Sequence, residues 1–340
     1  MVQLTDIRDS NTRIATELPA KLVAVFVGAT GGIGETTMKQ FAKHVKEPFI
    51  YFVGRTESAA VRIKAELAAL NPQGKYIFLQ SDVSLIRNVD TVCNEIKKRE
   101  TAINVLCISA GTLVFDKYTS EGILYFSALS IYSRFRFIEN LLPLLDRATG
   151  LRRVLSVLAG TKEGELDRTD ITGQSIKNII RGRRHTTSMM TLGLEVLAKK
   201  APSVTFVHDY PGFVKTNLGS DSKSLLMTVL AIVATVLAPF LSIPIEETGE
   251  RHLFFLTSAR FPGLSEPDAA AGVALGEHVS IALGSNGEPG SGVYSIDYNG
   301  DPGSPATVAV LAKLRKEGAG EQVWEHIEDV FTKITGNTAA

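Results

Sequence analysis

Apolar residues change their spacing repeatedly between residues 21 and 212. KLVAVFVGA (21–29) is a short apolar run, rich in β-branched residues, that ends in glycine, as buried strands commonly do. The next stretch, GGIGETTMKQFAKHV, places Ile33, Met38, Phe41 and Val45 on roughly one face of a helix. The pattern therefore predicts a strand followed directly by an amphipathic helix.

The same alternation continues through the first two thirds of the chain. Further strands are predicted in PFIYFVGR, KYIFLQSDV, INVLCISAG, RRVLSVLAG and SVTFVHDYPG. Helices are predicted between them, in SAAVRIKAELAAL, VDTVCNEIKKRE, ILYFSALSIYSRFRFIENLLPLL and SMMTLGLEVLAKK. Strands that alternate with helices through short loops indicate a parallel sheet covered by helices on both faces. We therefore predict a single α/β domain with a doubly wound parallel sheet and a core at residues 20–216.

The C-terminal third departs from this rhythm. Residues 225–245 carry no charge, but Pro239 interrupts them and leaves 225–238, which is shorter than the roughly 20 residues that a bilayer core requires. Small residues recur there at three- to four-residue spacing, which permits close helix packing. We expect residues 217–292 to form a lid over an apolar ligand and an irregular insertion, with membrane-surface contact and a true span as the alternatives. Residues 293–340 should supply the last strand, GVYSID, and a helical tail interrupted near its glycines.

Composition excludes several classes of protein. The 340 residues are 44% hydrophobic and 21% charged, as in ordinary globular proteins, and 36 basic residues balance 36 acidic ones. Without a net field, nucleic acid is not an expected partner. Cys93 and Cys107 lack metal or redox spacing, and the six histidines show no paired-ligand motif, so we expect reduced thiols and no zinc site. The polar N-terminus lacks a secretory apolar segment, so a cytoplasmic location is expected, with peripheral membrane contact left open.

The first predicted strand–helix junction, VFVGATGGIGETT, has the glycines of a phosphate-binding turn. Gly28 permits the tight turn, while Gly32 and Gly34 allow backbone N–H groups and the helix N-terminus to approach a phosphate. The second strand ends at Arg55 rather than at a carboxylate, which favours a ribose 2′-phosphate and hence NADP(H) over NAD(H). Asp82, after the third strand, either accepts a hydrogen bond from adenine or caps the next helix.

These residues resemble the short-chain dehydrogenase/reductase superfamily over about residues 20–300, which implies a Rossmann-type fold. V-G-A-T-G-G-I-G is similar to the family's T-G-x-x-x-G-x-G loop, S-D-V to its adenine-binding motif, I-S-A-G to N-N-A-G, and P-G-F-V-K-T to P-G-x-V-x-T beside the nicotinamide. More loosely, the chain resembles oxidoreductase-like members of fungal secondary-metabolite pathways. The resemblance implies cofactor contacts from Gly28, Thr30, Gly31, Gly32, Ile33, Gly34, Arg55, Asp82, Val83, Ala110, Gly111, Pro211, Gly212, Val214 and Thr216.

The family's reactive positions all carry different residues here. The family's Tyr and Lys stand four apart, and H-T-T-S-M fits that frame, so His185 and Met189 take their places. The family's Ser falls at Val157, next to Ser156, and its supporting Asn falls at Ser130. A methionine cannot bind ribose hydroxyls or lower a neighbour's pKa by its charge. His185 becomes the candidate acid–base, because imidazole titrates near neutral pH; weaker candidates are Ser130, Ser156 and Tyr132.

Three functions fit this mixture of intact and altered motifs. The first is an NADP(H)-dependent reductase or dehydrogenase of a small apolar metabolite, with His185 as its acid. The second is a non-redox catalyst such as an isomerase, dehydratase or cyclase, and the third is a non-catalytic binding protein. A homo-oligomer is left open. Several residues have a functional and a structural interpretation, namely Arg181, Arg183 and Arg184 (anion site or solvated face), Lys162 and Glu163 (cleft or surface loop), and Tyr210 (phenolic donor or structural).

Overall fold

Seven parallel strands form one sheet in a computed structural model that describes residues 1–176, 178–216, 242–265 and 272–340. Their order is β3-β2-β1-β4-β5-β6-β7, so the connections run outward in both directions from the seam between β1 and β4. In such sheets, ligands bind at the carboxyl ends of the strands beside this seam. The strands are β1 Val23–Val27, β2 Phe49–Gly54, β3 Lys75–Gln80, β4 Val105–Ile108, β5 Arg153–Val157, β6 Thr205–Tyr210 and β7 Val293–Asp297.

Helices cover both faces of the sheet and build two apolar layers. One layer contains α4, α6, α7, α9 and α10, and the other contains α1, α2, α3 and α8. The predicted doubly wound α/β fold is thereby confirmed. The helices are α1 Leu4–Glu17, α2 Gly32–His44, α3 Glu57–Leu70, α4 Ile86–Lys97, α5 Tyr125–Ser127, α6 Ser133–Arg147, α7 Ile179–Lys200, α8 Ile245–Thr257, α9 Pro305–Lys316 and α10 Ala319–Thr335.

Three helices differ from the sequence-based expectations. Helix α1 was not predicted, although Ile7 and Ile14 lie on one face and are fully buried. The long helix predicted over 123–145 is interrupted by a π-helical turn, Ala128–Tyr132, between α5 and α6. Helix α7 begins nine residues before the expected Ser188, because the Asn178 side chain accepts a hydrogen bond from the Arg181 N–H and caps the helix.

The predicted apolar lid falls mostly on residues 217–241, outside the described residues. Among the described residues that follow, 245–257 form α8, which packs against α2 and α1. The last strand, β7, and the two tail helices on either side of Gly318 lie where the sequence predicts them. Within the described ranges, no helix has the length and apolar character needed to cross a bilayer.

Candidate active site

The loop between β1 and α2 packs tightly against the end of β4. At Gly28, where φ is +83°, a Cβ atom would lie 2.4 Å from the backbone nitrogen of Ala110. At Gly34, a Cβ would lie 2.3 Å from Ser109 Oγ. Gly31 differs, because a Cβ there would meet no atom within 4 Å. The first two glycines therefore permit the close packing of the loop, while Gly31 faces open space at the start of α2, where a phosphate can approach N–H groups.

Other predicted cofactor residues surround this loop. Thr30 packs against the end of β2, where a Cβ on Gly54 would lie 2.3 Å from its methyl group. Ile33 is half-buried and contacts the apolar layer around α2, and Val83 is buried at the start of the chain leading to α4. Gly111 follows Ala110 immediately after β4. These residues thus lie at the carboxyl ends of β1, β2, β3 and β4.

The segment after β6 returns toward the glycine loop. It starts at Pro211 and turns at Gly212, where φ is +75°. It passes through the half-buried Val214 and reaches Thr216, whose methyl carbon would lie 3.2 Å from a Cβ on Gly32. The predicted contacts from β6 and from the glycine loop therefore border one groove along the carboxyl edge of the sheet.

Arg55 lies at the far end of this edge, immediately after β2. It lines a cavity of about 570 Å³ together with Gln80, Ser81, Asp82, Asn88, Thr91 and Val92. The guanidinium donates a hydrogen bond to the hydroxyl of Tyr125 at 3.2 Å, and the Arg55 carbonyl accepts one from the Gln80 amide at 3.0 Å. Arg55 itself is exposed. The cavity can therefore present a fixed cation to an anionic ligand.

Asp82 does not cap the helix that follows it. Its carboxylate accepts a hydrogen bond from the Ser84 N–H at 3.0 Å, which closes a local turn. The N-terminus of α4 is capped by Glu121 instead, whose carboxylate accepts from the N–H groups of Ile86 at 2.6 Å and Arg87 at 3.1 Å. Of the two interpretations of Asp82, the capping one is excluded, and the adenine contact stays a prediction.

His185 is buried in the interior, and both of its ring nitrogens are bonded to backbone groups. Nδ1 accepts a hydrogen bond from the Asp167 N–H at 3.1 Å, and Nε2 lies 2.9 Å from the Ile171 carbonyl oxygen. A carbonyl can only accept, so the proton is on Nε2 and the ring is neutral. Burial also lowers the pKa of His185. An acid–base must reach the substrate, but the chain at 167–171 covers the His185 side chain.

The position of the family's lysine is equally closed. Met189 is 3% exposed and packs in the apolar layer around α7. Ser188, beside it, bonds through its Oγ to both the N–H and the carbonyl of Gly164, at 3.0 and 2.7 Å. Val157, at the family's serine position, is 7% exposed. The altered positions are therefore filled by packed and hydrogen-bonded side chains.

The weaker candidate Ser156 is bonded to a buried arginine, Arg134. Ser156 is fully buried, and its Oγ accepts a hydrogen bond from Arg134 Nη1 at 2.8 Å. Arg134 also donates to the carbonyls of Leu129, Ile108 and Ala110 at 3.1, 3.0 and 2.7 Å. Burial lowers the pKa of Arg134 to about 10, so the guanidinium stays charged at neutral pH. Arg134 thus joins the carboxyl ends of β4 and β5 under the groove.

Ser130 and Tyr132 both lie in the π-helical turn before α6. Ser130 is 1% exposed. Tyr132 is 4% exposed, and its hydroxyl lies 2.8 Å from Nε2 of His326, which comes from α10. Burial raises the pKa of Tyr132 and lowers that of His326. Burial therefore favours the neutral phenol, and a partner from the C-terminal tail fixes its hydroxyl. The sequence gives no signal for this pairing.

The sequence also missed a buried polar chain between β5 and α7. Glu163 Oε1 accepts hydrogen bonds from the hydroxyls of Thr191 at 2.7 Å and Ser295 at 2.5 Å. Thr191 Oγ1 in turn lies 2.9 Å from Nδ1 of His208, whose Nε2 accepts from the Ala159 N–H at 3.2 Å. Burial raises the pKa of Glu163 and lowers that of His208 to about 3. Glu163 therefore occupies neither a cleft nor a surface loop.

Two cations gather at the end of β6. Lys162 Nζ lies 4.9 Å from the centre of the Tyr210 ring, and the Arg183 guanidinium lies 4.8 Å from it. Each contact falls within the range of a cation–π interaction. Of the neighbouring arginines, Arg181 pairs with Asp167 at 3.3 Å. Tyr210 thus has a structural role between two charged side chains, and its role as a donor stays untested.

Both cysteines are free and buried, and burial raises the pKa of each thiol. Within the described part of the chain, no group of three or more His, Cys, Asp and Glu side chains is arranged to hold a metal ion.

The sheet order and the tight glycine loop together define a Rossmann-type protein. A family model for short chain dehydrogenase matches residues 22–162. "Oxidoreductase AN1596" of Emericella nidulans is 38% identical over 97% of this chain and 98% of its own length. "Oxidoreductase andH" of Emericella variicolor is 37% identical over 99% of each chain. The chain belongs to the short-chain dehydrogenase/reductase family, as its motifs predict.

Solved structures show the same fold at low sequence identity. YwfH, described as an NADPH dependent reductase involved in bacilysin biosynthesis, superposes with a TM-score of 0.52 and is 15% identical. The superposition covers 70% of this chain and 92% of that one. The likeness supports the parallel α/β architecture.

Proposed function

We propose that the protein is an NADP(H)-dependent oxidoreductase that interconverts a carbonyl and an alcohol on a small apolar metabolite. The observation that carries the proposal is the glycine loop, because Gly28 and Gly34 allow contacts that no larger residue permits, while Gly31 leaves space at the start of α2. We extend the proposal to secondary metabolism on the resemblance of the whole chain to fungal oxidoreductase-like proteins.

The residues present fit a nicotinamide dinucleotide along the groove. The first turn of α2 would hold the pyrophosphate, because N–H groups at a helix N-terminus have no partner within the helix. The cavity beside Arg55 and Asp82, about 570 Å³, would hold the adenosine end. The segment 211–216 would cover the other end. A nicotinamide held there supplies a hydride, and the protein supplies position and polarity.

Arg55 supports the preference for NADP(H). A guanidinium can bind a 2′-phosphate through two parallel hydrogen bonds, whereas NAD(H) is commonly recognised by a carboxylate at the end of this strand. The bond from Arg55 to the Tyr125 hydroxyl at 3.2 Å holds the cation near the cavity before a ligand arrives. Solved relatives by fold include a short-chain dehydrogenase in complex with NADPH.

The source of the proton is the unusual part of the proposal. The hypothesis that His185 transfers it stays a prediction, and it requires the segment at 167–171 to release both ring nitrogens. Because the altered positions are buried and bonded, a non-redox catalyst and a non-catalytic binding protein are the alternatives. Turnover distinguishes them, since only an oxidoreductase consumes NADPH in the presence of a carbonyl substrate.

The experiment that tests the cofactor is a fluorescence titration with NADPH and NADH. Native protein should bind NADPH at least about ten times more tightly, and Arg55→Glu should weaken NADPH about tenfold or more while changing NADH less than about threefold. Arg147→Glu, the same charge change at an exposed position at the end of α6, is the matched control. Equal affinities for the two cofactors would overturn the preference, and absence of binding would overturn the proposal.

A further inference from the structure

A second cavity, of about 410 Å³, lies on the side of the sheet that α10 covers. Its lining comes from the chain at 120–127, from Tyr132 in the π-helical turn, from Thr172 and Gln174 after β5, and from the end of α10. It shares no lining residue with the cavity beside Arg55. Its volume lies within the range of pockets that hold small organic ligands, about 300–1,000 Å³.

Part of the wall of this tail cavity is apolar. Ile123 and Leu124 line it from the chain before α5, and Val330 and Ile334 line it from α10. Val330 and Ile334 are four residues apart, so they share one face of the helix. A ligand that fills the cavity therefore places an apolar body against these side chains.

The carboxylates at the tail cavity are already bonded elsewhere. Glu121 lines the cavity, but both of its oxygens accept hydrogen bonds from the first N–H groups of α4. Asp170 lies nearby, and its oxygens accept from the Thr172 hydroxyl at 2.6 Å and the Ser175 N–H at 2.7 Å within its own turn. Neither acid is therefore oriented to receive a donor from a ligand.

The groups still able to bond are mainly donors, and two of them are cations. Lys333 forms no ion pair or hydrogen bond with any described residue, and neither does the side-chain amide of Gln174, which can donate or accept. Arg87 donates to the Ile334 carbonyl through Nη2, while Nη1 is 3.8 Å from Glu121, so N–H groups remain for a ligand. The cavity thus presents positive charge and donors beside an apolar wall.

We propose that the tail cavity binds a small organic acid, with its apolar body against Val330 and Ile334 and its carboxylate paired with Lys333 and Arg87. A carboxylate matches both the charge and the donor set, since an ionised acceptor bonds to cationic donors more strongly than a neutral one. The Tyr132 hydroxyl, held by His326, forms part of the wall. The tail cavity and the cavity beside Arg55 share no lining residue, so acid binding can be tested without cofactor.

Calorimetric titration of the full chain with trans-cinnamate, decanoate and cinnamamide tests the proposal. At least one acid should bind saturably, and cinnamamide, the neutral counterpart of cinnamate, should bind about tenfold more weakly or not at all. Lys333→Gln should weaken the acid about two- to fivefold, as expected for one partly exposed ion pair. Lys316→Gln, which removes an exposed charge at the end of α9, should have no effect.

A steric variant separates the cavity from general surface charge. Val330→Trp fills the space beside the apolar wall and should abolish acid binding, while NADPH binding and the thermal unfolding midpoint report whether the fold is kept. If Val330→Trp does not fold, the affinity of Lys333→Gln for the acid still tests the proposal. Lys333 lies at the exposed rim, and native affinity in this variant would contradict its pairing with the carboxylate. Saturable binding by neither acid, equal binding of amide and acid, or native acid binding by a folded Val330→Trp protein each overturns the proposal.

Discussion

Replacement of His185 by alanine separates a structural from a catalytic role at this position. The ring is 2% exposed and joins the Asp167 N–H to the Ile171 carbonyl, so it holds the chain after β5 against α7. Alanine removes both hydrogen bonds and leaves a partly buried donor, a buried acceptor and an unfilled space. The structure therefore predicts a loss of stability whether or not His185 takes part in chemistry.

The size of this loss follows from the two bonds and the missing ring. Each hydrogen bond contributes about 0.5–1.5 kcal/mol net, and an unpaired buried group costs about 1–3 kcal/mol. Partial collapse of the chain at 167–171 and water entry reduce the sum, so we expect the free energy of unfolding to fall by about 2–4 kcal/mol. His185→Gln keeps one donor and one acceptor and should recover at least half of that loss.

The pH dependence gives a second readout. Burial lowers the pKa of His185, so the folded state favours the neutral ring. The stabilisation that the neutral ring provides is fully present above the pKa of histidine in the unfolded chain, about 6.5. It is lost as the pH falls through the pKa of His185 in the folded protein. The stability difference between native protein and His185→Gln should therefore shrink as pH is lowered from about 7 to about 5. The other histidines are common to both proteins, so their contributions cancel.

Urea unfolding followed by circular dichroism measures these differences, and turnover on a substrate measures the catalytic alternative. If His185 transfers the proton, His185→Gln should fold but lose about 10²–10⁴-fold in turnover. If its role is structural, His185→Gln should keep turnover near the native rate. An unfolding free energy of His185→Ala within about 0.5 kcal/mol of native would refute the structural reasoning.

Three further changes have defined outcomes. Gly28→Ala should lower the unfolding free energy by about 1–3 kcal/mol and weaken NADPH in a titration, because its φ is +83° and the backbone of Ala110 blocks the new methyl. Burial raises the pKa of Glu163, so the protonated carboxyl stabilises the folded state. This stabilisation is fully present below the pKa of glutamate in the unfolded chain and is lost as the pH rises through the pKa in the folded protein. Native protein should therefore lose stability relative to Glu163→Gln in urea melts between about pH 5 and pH 8. Arg136 is fully buried and pairs with Asp90 at 2.5 Å, so Arg136→Met should cost about 3–5 kcal/mol in the same assay and no loss would contradict the pairing.

The alternation of apolar periods was enough to predict the sheet, because six of the seven strands are buried over most of their length, while the edge strand β3 is only half-buried. The glycine loop was equally predictable, since its requirement is local: a positive φ and close packing within a few residues of Gly28. Helix α1 was missed because its buried face contains Ser10 and Asn11 beside Ile7 and Ile14, which dilutes the apolar pattern.

The interior polar groups could not be predicted in the same way. Glu163, Thr191, His208 and Ser295 come from four separate parts of the chain and meet only through the fold. The sequence did not decide whether Glu163 lies in a cleft or on a surface loop, because a glutamate shortly after a glycine is found in both. Arg134 gave a signal that can be used elsewhere: a charge within an otherwise apolar helix pattern is an argument for a buried partner, here the carbonyls at the end of β4.

The glycine loop keeps its close packing, whereas the family's reactive positions carry other residues. This contrast argues against a site that has simply lost its function. Random loss of function would leave unpaired polar atoms or empty space where reactive side chains had been. Here Met189 packs closely, His185 is bonded at both nitrogens, and Ser156 is bonded to Arg134. The glycine loop beside them keeps the contacts that exclude any Cβ at Gly28. If the groove holds a dinucleotide, hydride transfer also needs a proton. Either a group other than His185 and Met189 supplies this proton, or the chain at 167–171 rearranges so that His185 reaches the groove.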